Sequence, residues 1–330
     1  MARARIPFAV PCVLVATAIA LAAAGAALAD NWPSRAVKLV VPFAAGGNID
    51  VMGRLAASRL SNALGQQFVV ENRVGANGVI GTEAVARSAP DGYTLLWAST
   101  SVVAIFPAIT KVAYDPVKSF VPVSLFSRSP QALIVNPQFP AKSVAEFVAY
   151  VKSQKSPLAY GGGGGPGSAS NLVMALFLKR AGLEMNNVSY RGTAPALTDV
   201  IAGHIPAMFI PISEALPQAR AGAIRMLAVS GSTRAREAPD VPTIAESGFP
   251  DFQAESWTGL MAPAGTANEI VERISTEFAG AFKDPQFVAR MHEAGVEPFP
   301  DASPAAFAAF IQHEIAFWGD AVKIAGVTLQ

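Results

Sequence analysis

Cysteine is almost absent: Cys12 is the only one in 330 residues. It sits in an N-terminal apolar stretch, after Ala9-Val10-Pro11 and before the apolar core, a poor setting for a lipidated cysteine. A chain cut after that stretch would have no disulfide, no thiolate metal site and no cysteine nucleophile, so its stability must come from its core. Histidine is scarce as well. His204, His292 and His313 are the full set, and none stands at a metal-ligand spacing. No Gly-x-Ser-x-Gly elbow occurs. No long run of Lys and Arg exists, which argues against nucleic acid or an anionic membrane as partner. These gaps favour a binding protein over an enzyme.

Residues 1–29 read as an export signal. Arg3 and Arg5 form a basic start, residues 13–28 are almost wholly apolar, and Ala27-Leu28-Ala29 fits the small-x-small rule for cleavage before Asp30. The competing reading is a membrane anchor, but the segment is short for one and no stop-transfer flank follows. Cleavage leaves 301 residues with 23 basic and 24 acidic side chains, a net charge of −1, enough chain for two domains.

Two glycine-rich turns then stand out. Pro42-Phe43-Ala44-Ala45-Gly46-Gly47-Asn48-Ile49-Asp50 follows the apolar run Val37–Val41, and Tyr160-Gly161-Gly162-Gly163-Gly164-Gly165-Pro166-Gly167-Ser168 precedes the apolar stretch Leu172–Leu178. Glycine lets the backbone approach a ligand, and a helix start offers unpaired N–H groups. Two such starts facing each other would cage an anion without a lysine or arginine. A P-loop is excluded because Lys is missing after Gly167, and a dinucleotide fingerprint because Gly46-Gly47 lacks its further glycine.

The periodicity predicts α/β architecture. Val37–Val41, Phe68–Val70 and Thr94–Trp97 read as strands, with Met52, Ala56, Leu60 and Ala63 marking a helix that Gly65 stops. Phe120 to Asn136 and Phe252 to Met261 are extended. Between them lie strands near Leu158–Tyr160, Val188–Tyr190, Ala207–Ile210 and Met226–Val229 and helices near 143–153, 169–181, 194–202 and 213–221. Helices near 267–282, 285–294 and 304–324 close the chain. A chain that leaves one α/β lobe, builds a second and returns gives two lobes joined by two extended strands: residues 30–128 plus 254–330 as domain 1, and 129–253 as domain 2.

The candidate ligand-binding residues follow from the turns. In the first, Phe43, Ala44, Ala45, Gly46, Gly47 and Asn48 offer backbone, while Asp50 either caps the helix or, as preferred here, orients the loop amides. In the second, Gly162, Gly163 and Gly167 offer backbone. Ser168 and Ser170 serve either as helix caps or as ligand hydroxyls. A third helix start, Arg191-Gly192-Thr193-Ala194-Pro195, has Thr193 as its N-cap and Gly203 at its end. Arg191 fits a ligand partner and an ordinary surface residue equally well. Ser99 and Thr100 end a strand, where open α/β sheets bind ligands. Micromolar binding needs about 8 kcal/mol, and charge-assisted hydrogen bonds net roughly 1.5–3 kcal/mol each. Donors from both lobes are therefore required, and closure should accompany binding. No cofactor and no metal site is expected.

The ordered set of motifs resembles the periplasmic solute receptors of tripartite tricarboxylate transporters, the Bug receptors. Its carriers are Trp32-Pro33-Ser34-Arg35, the 42–50 turn, Glu71-Asn72-Arg73-x-Gly75-Ala76-x-Gly78-x-x-Gly81, Pro90-Asp91-Gly92-Tyr93 and Tyr114-Asp115-Pro116. Tyr190-Arg191-Gly192-x-x-Pro195-Ala196-Leu197, Asp240-Val241-Pro242-Thr243 and the stretch from Ser256-Trp257 to Thr266 complete it. The resemblance implies a type II periplasmic binding protein, a two-domain Venus flytrap, that captures a small organic carboxylate for a membrane permease of the tripartite tricarboxylate transporter. A periplasmic location goes with it, and nothing in the sequence demands more than a monomer. A stand-alone carboxylate-binding module feeding a sensor, and a hydrolase on the same scaffold, are the alternatives. Ile210-Pro211-Ile212-Ser213-Glu214 departs from the family pattern and leads us to expect a more apolar cleft wall.

Overall fold

A computed structural model describes residues 32–163, 167–190, 192–299 and 301–327. The first half opens with β1 (Val37–Val41), α1 (Asn48–Leu64), β2 (Phe68–Asn72), α2 (Val79–Ala86) and β3 (Thr94–Ser99). β1 pairs in parallel with both β2 and β3, as the helical crossovers require. The apolar stripe of α1, Met52, Ala56 and Leu60, is buried against this sheet, and Gly65 caps the helix at φ 71. A π-helical turn, Ser101–Ile105, leads into α3 (Phe106–Ile109); neither was expected from periodicity.

β4 (Phe120–Val135) then runs for 16 residues through two sheets. Residues up to Pro130 pair antiparallel with β9 (Glu255–Pro263), which is bonded to β3. From Gln131 onward the strand pairs antiparallel with β7 (Ala207–Pro211) and β8 (Arg225–Val229). The second half adds α4 (Val144–Ser153), β5 (Leu158–Gly163), α5 (Ala169–Ala181), β6 (Met185–Tyr190), α6 (Thr193–Ala202) and α7 (Ile212–Arg220). The sheet order is β2-β1-β3-β9-β4-β7-β5-β6. Chain passes between the halves at β4 and again where Ala254, bonded to Ser230, enters β9. α8 (Asn268–Ala281), α9 (Pro285–Glu293), the short β10 (Glu297–Pro298) and α10 (Pro304–Ala325) finish the fold.

Apolar side chains segregate accordingly. Trp32, Leu39, Trp97, Phe126 and Phe278 share a core in the first half, and Phe147, Phe177, Phe209 and Phe252 one in the second. α10 spans both: Phe307 and Ile311 pack with the first half, while Trp318, Ala321 and Val322 pack into the second half's core.

Two local expectations are corrected. Gly161–Gly163 belong to β5, paired in parallel with β6, and are not part of a turn. Their glycines are needed for packing: a Cβ on Gly161 would stand 2.7 Å from Ile205 Cδ1, one on Gly163 would stand 2.9 Å from Thr193 Cα, and one on Gly162 would overlap the Asn187 carboxamide. The N-cap of α6 is Gly192, in extended conformation, and Thr193 is already helical.

Candidate functional site

A cavity of about 500 Å³ lies where the two halves meet. From the first half it is lined by Phe43, Ala44, Ala45, Gly47, Asn48, Ile49 and Met52, by Ser99 at the end of β3, and by Thr100 and Ser101 just after it. From the second it takes Gly192 and Thr193 at the start of α6, and Pro211 and Glu214 at the start of α7. Ser127 and Ser129 of β4, Ser256, Trp257 and Thr258 of β9, and Val296 complete the lining where the halves join.

Local sequence explains why two helix starts are open here. α1 has Gly47 as its N-cap, with no side-chain cap; α6 has Gly192 and likewise no side-chain cap. Glycine supplies no capping oxygen, so the orphan N–H groups stay available to an occupant. α5 is the opposite case. Ser168 caps it by accepting from the Asn171 N–H at 3.3 Å, and Ser170 donates to the buried Gln131 Oε1 at 2.9 Å. Gly167 is packed so closely on the first half that a Cβ would stand 2.9 Å from Ile109 Cδ1. None of the described residues of 161–171 lines the cavity. The helix starts that meet are thus those of the first turn, of residues 192–193 and of α7. Gly162, Gly163, Ser168 and Ser170 support the second half from within, Gly167 packs against the first, and Ala194 is exposed outside the lining. Arg191 lies outside the described residues.

Asp50 does not line the cavity. It is 2 % exposed beneath the turn and accepts from Gly46 N–H (2.9 Å), Arg54 Nε (2.9 Å) and Asn72 Nδ2 (2.8 Å). Asn72 also donates to Phe43 O at 3.0 Å, so one network holds both ends of the loop. Burial is the largest influence on Asp50 and pushes its pKa up. The hydrogen bonds from Arg54, Gly46 and Asn72, with the Arg54 charge, together outweigh it and hold the carboxyl below its ordinary value. Gly46, at φ 88, spends its N–H on Asp50 and does not face the cavity. Asp50 therefore orients the loop.

The hydroxyls on the crossing strands escaped sequence reasoning. Ser127 and Ser129 are two apart on β4, so they share a face, and Ser256 and Thr258 oppose them on β9. Ser127 and Thr258 hydroxyls are 2.9 Å apart, Ser129 donates to Gly295 O, and Gln131 Nε2 donates to Ser256 Oγ at 3.1 Å. The available signal was a polar stripe, Ser127-x-Ser129-x-Gln131, inside an otherwise apolar strand. Thr100 Oγ1 accepts the Trp257 N–H at 2.8 Å. Ser99 Oγ is buried with no partner among the described residues. A buried hydroxyl without a partner costs free energy unless something else supplies one, and this one lines the cavity.

Glu214 is the one charged side chain among the described lining residues. Burial raises its pKa, opposed by a hydrogen bond with Thr193. Ile210 and Ile212 are buried in the second half's own core, and the segment instead presents Pro211 and an acid to the cavity. Among the described residues no group of His, Cys, Asp and Glu is placed to hold a metal, and no helix is long and apolar enough to cross a membrane.

The model of the tripartite tricarboxylate transporter family receptor (TctC) matches residues 52–327. The chain belongs to that family. Over 325 residues the receptor is 36 % identical to Protein BugT of Bordetella pertussis strain Tohama I, covering 96 % of this chain and 98 % of BugT. It is 37 % identical to a UPF0065 protein of Bordetella bronchiseptica, covering 82 % of this chain and 80 % of that one. Among solved structures it is similar to R. palustris Rpa4515 with adipate (TM-score 0.79, 36 % identity, 90 % of this chain and 99 % of that one). It is also similar to MatC (Rpa3494) from Rhodopseudomonas palustris with bound malate (0.75, 35 %, 88 % and 100 %) and to the periplasmic binding protein BugD (0.76, 33 %, 91 % and 100 %). The receptor thus has the two-lobed α/β fold of these periplasmic binding proteins, and its relatives are solute receptors.

Proposed function

We propose that this receptor holds a small organic carboxylate in the cavity between its halves and delivers it to the permease of a tripartite tricarboxylate transporter. One observation carries the reading. Two uncapped helix starts from opposite halves, and a buried hydroxyl without a partner, line one cavity that has no cation among its described residues. Such a site suits an anion held by main-chain dipoles and hydroxyls. The solutes of the relatives, adipate for Rpa4515 and malate for MatC, are of that class. Neither half alone supplies enough donors, so the halves close on the solute. The division into 30–128 with 254–330 against 129–253, cleavage before Asp30, a periplasmic location and a monomeric receptor belong to the same reading. α10 packs against both halves and would have to slide or bend during closure.

A thermal-shift and calorimetry panel of mono- and dicarboxylates, including adipate and malate, tests it. A ligand at a hundredfold excess over its Kd stabilises the native state by about 2.7 kcal/mol, several degrees in Tm for a chain of this size. Failure of every carboxylate to shift Tm would overturn the proposal.

A further inference from the structure

Glu214 is unexplained by anion capture. A carboxylate on the wall of a site for carboxylates repels them unless it has a partner of its own. Among the described residues Glu214 makes no ion pair. Thr193 offers it a neutral hydroxyl. Gly295, packed on the adjacent Ser213, is neutral, Arg128 is paired with Glu255, and Arg236 lies against His292. Asp50, under the opposite wall, is held by Arg54 and Asn72. Among its described residues the cavity therefore has donors without a cation at the start of α1, and an acid without an ion-pair partner at the start of α7.

We propose that Glu214 determines specificity by pairing with a protonated amine on the solute, so that the receptor selects amino-carboxylates over dicarboxylates. The carboxylate end is held by the α1 start and the Ser99 hydroxyl, and the ammonium end by Glu214, beside Thr193 at the α6 start. This rests on the carboxylate-receptor reading above and adds the second functional group. A partly buried carboxylate that has lost water is the acceptor from which a charge-assisted N–H gains most.

Calorimetry on matched pairs tests it: glutarate with L-glutamate, and adipate with 6-aminohexanoate. The first pair adds an amine to an unchanged diacid, the second replaces one carboxylate by an amine at the same carbon count, and the two amines sit at different distances from the carboxylate. The wild-type receptor should bind the amine member of at least one pair tenfold or more tighter than its diacid. Glu214→Gln, nearly isosteric, should erase that preference, and Glu214→Lys should reverse it. Circular dichroism and Tm would show that both variants fold. Diacids preferred by the wild type, or a preference unchanged in Glu214→Gln, would overturn the assignment while leaving the carboxylate receptor standing. No binding of any of the four acids to any of the three proteins would overturn both.

Discussion

Replacing Asp50 by alanine separates orientation of the loop from contact with the solute. The substitution removes the acceptor of Gly46 N–H, Arg54 Nε and Asn72 Nδ2. Charge-assisted hydrogen bonds net about 1.5–3 kcal/mol each, but water compensates part of this. Arg54 is half exposed and Gly46 is at the surface, so both donors can turn to solvent, and Asn72 keeps its bond to Phe43 O. One sheltered bond and part of a second are lost, so stability should fall by about 2 kcal/mol, within the reach of urea denaturation. The loop should respond more than the fold. The amides of residues 43–48 should exchange with deuterium roughly tenfold faster, about 1.4 kcal/mol of lost protection, while those of β1 and β3 change only with global stability. Affinity for a bound carboxylate should fall at least tenfold even though Asp50 does not line the cavity. Unchanged exchange in 43–48 with unchanged affinity would refute the orienting role. Tighter anion binding would mean that the charge, and not the geometry, is what the solute senses.

Other outcomes follow from particular atoms. Ser99→Ala removes a buried hydroxyl that has no partner among the described residues, so Tm should hold or rise while carboxylate affinity drops about tenfold; a clear loss of Tm would mean the hydroxyl is satisfied within the protein. Gly47→Val should abolish binding with little loss of stability. Residue 47 lines the cavity at an ordinary φ of −78, and a Cβ there meets only Ala44 O, at 3.9 Å; retained affinity by calorimetry would contradict the cage. Glu314 is buried, which raises its pKa against hydrogen bonds from Trp318 and Trp257 and the pull of His313. Its contribution is complete below its unfolded pKa of 4.5 and is lost as pH rises through the higher folded value. The Tm of wild type relative to Glu314→Gln should therefore climb as pH falls from neutral towards 4.5, and a flat or falling difference would contradict the assignment.

Much of the architecture is local and was legible from residues alone. Period-3.6 stripes such as Met52-Ala56-Leu60 mark helices because an amphipathic face must be buried, and Gly65 and Gly203 end theirs because only glycine takes the left-handed cap cheaply. The long apolar run of β4 announced a strand crossing between two bodies. Within the site, the 43–50 turn, Asp50 as the support beneath it, Ser99, Thr100 and the Gly192 start were all nameable in advance. Which helix starts face the cavity was a tertiary matter. Ser168 spends its oxygen on α5, Gly161 to Gly163 are consumed in packing against β6 and α6, and Gly192 has no oxygen to spend. Sequence shows that a donor exists; only the fold shows whether it is already occupied. Ser127, Ser129, Ser256, Thr258 and Glu214 become neighbours because two antiparallel strands and a helix start from distant parts of the chain converge. Convergence depends on which elements pack together, and no local periodicity encodes that.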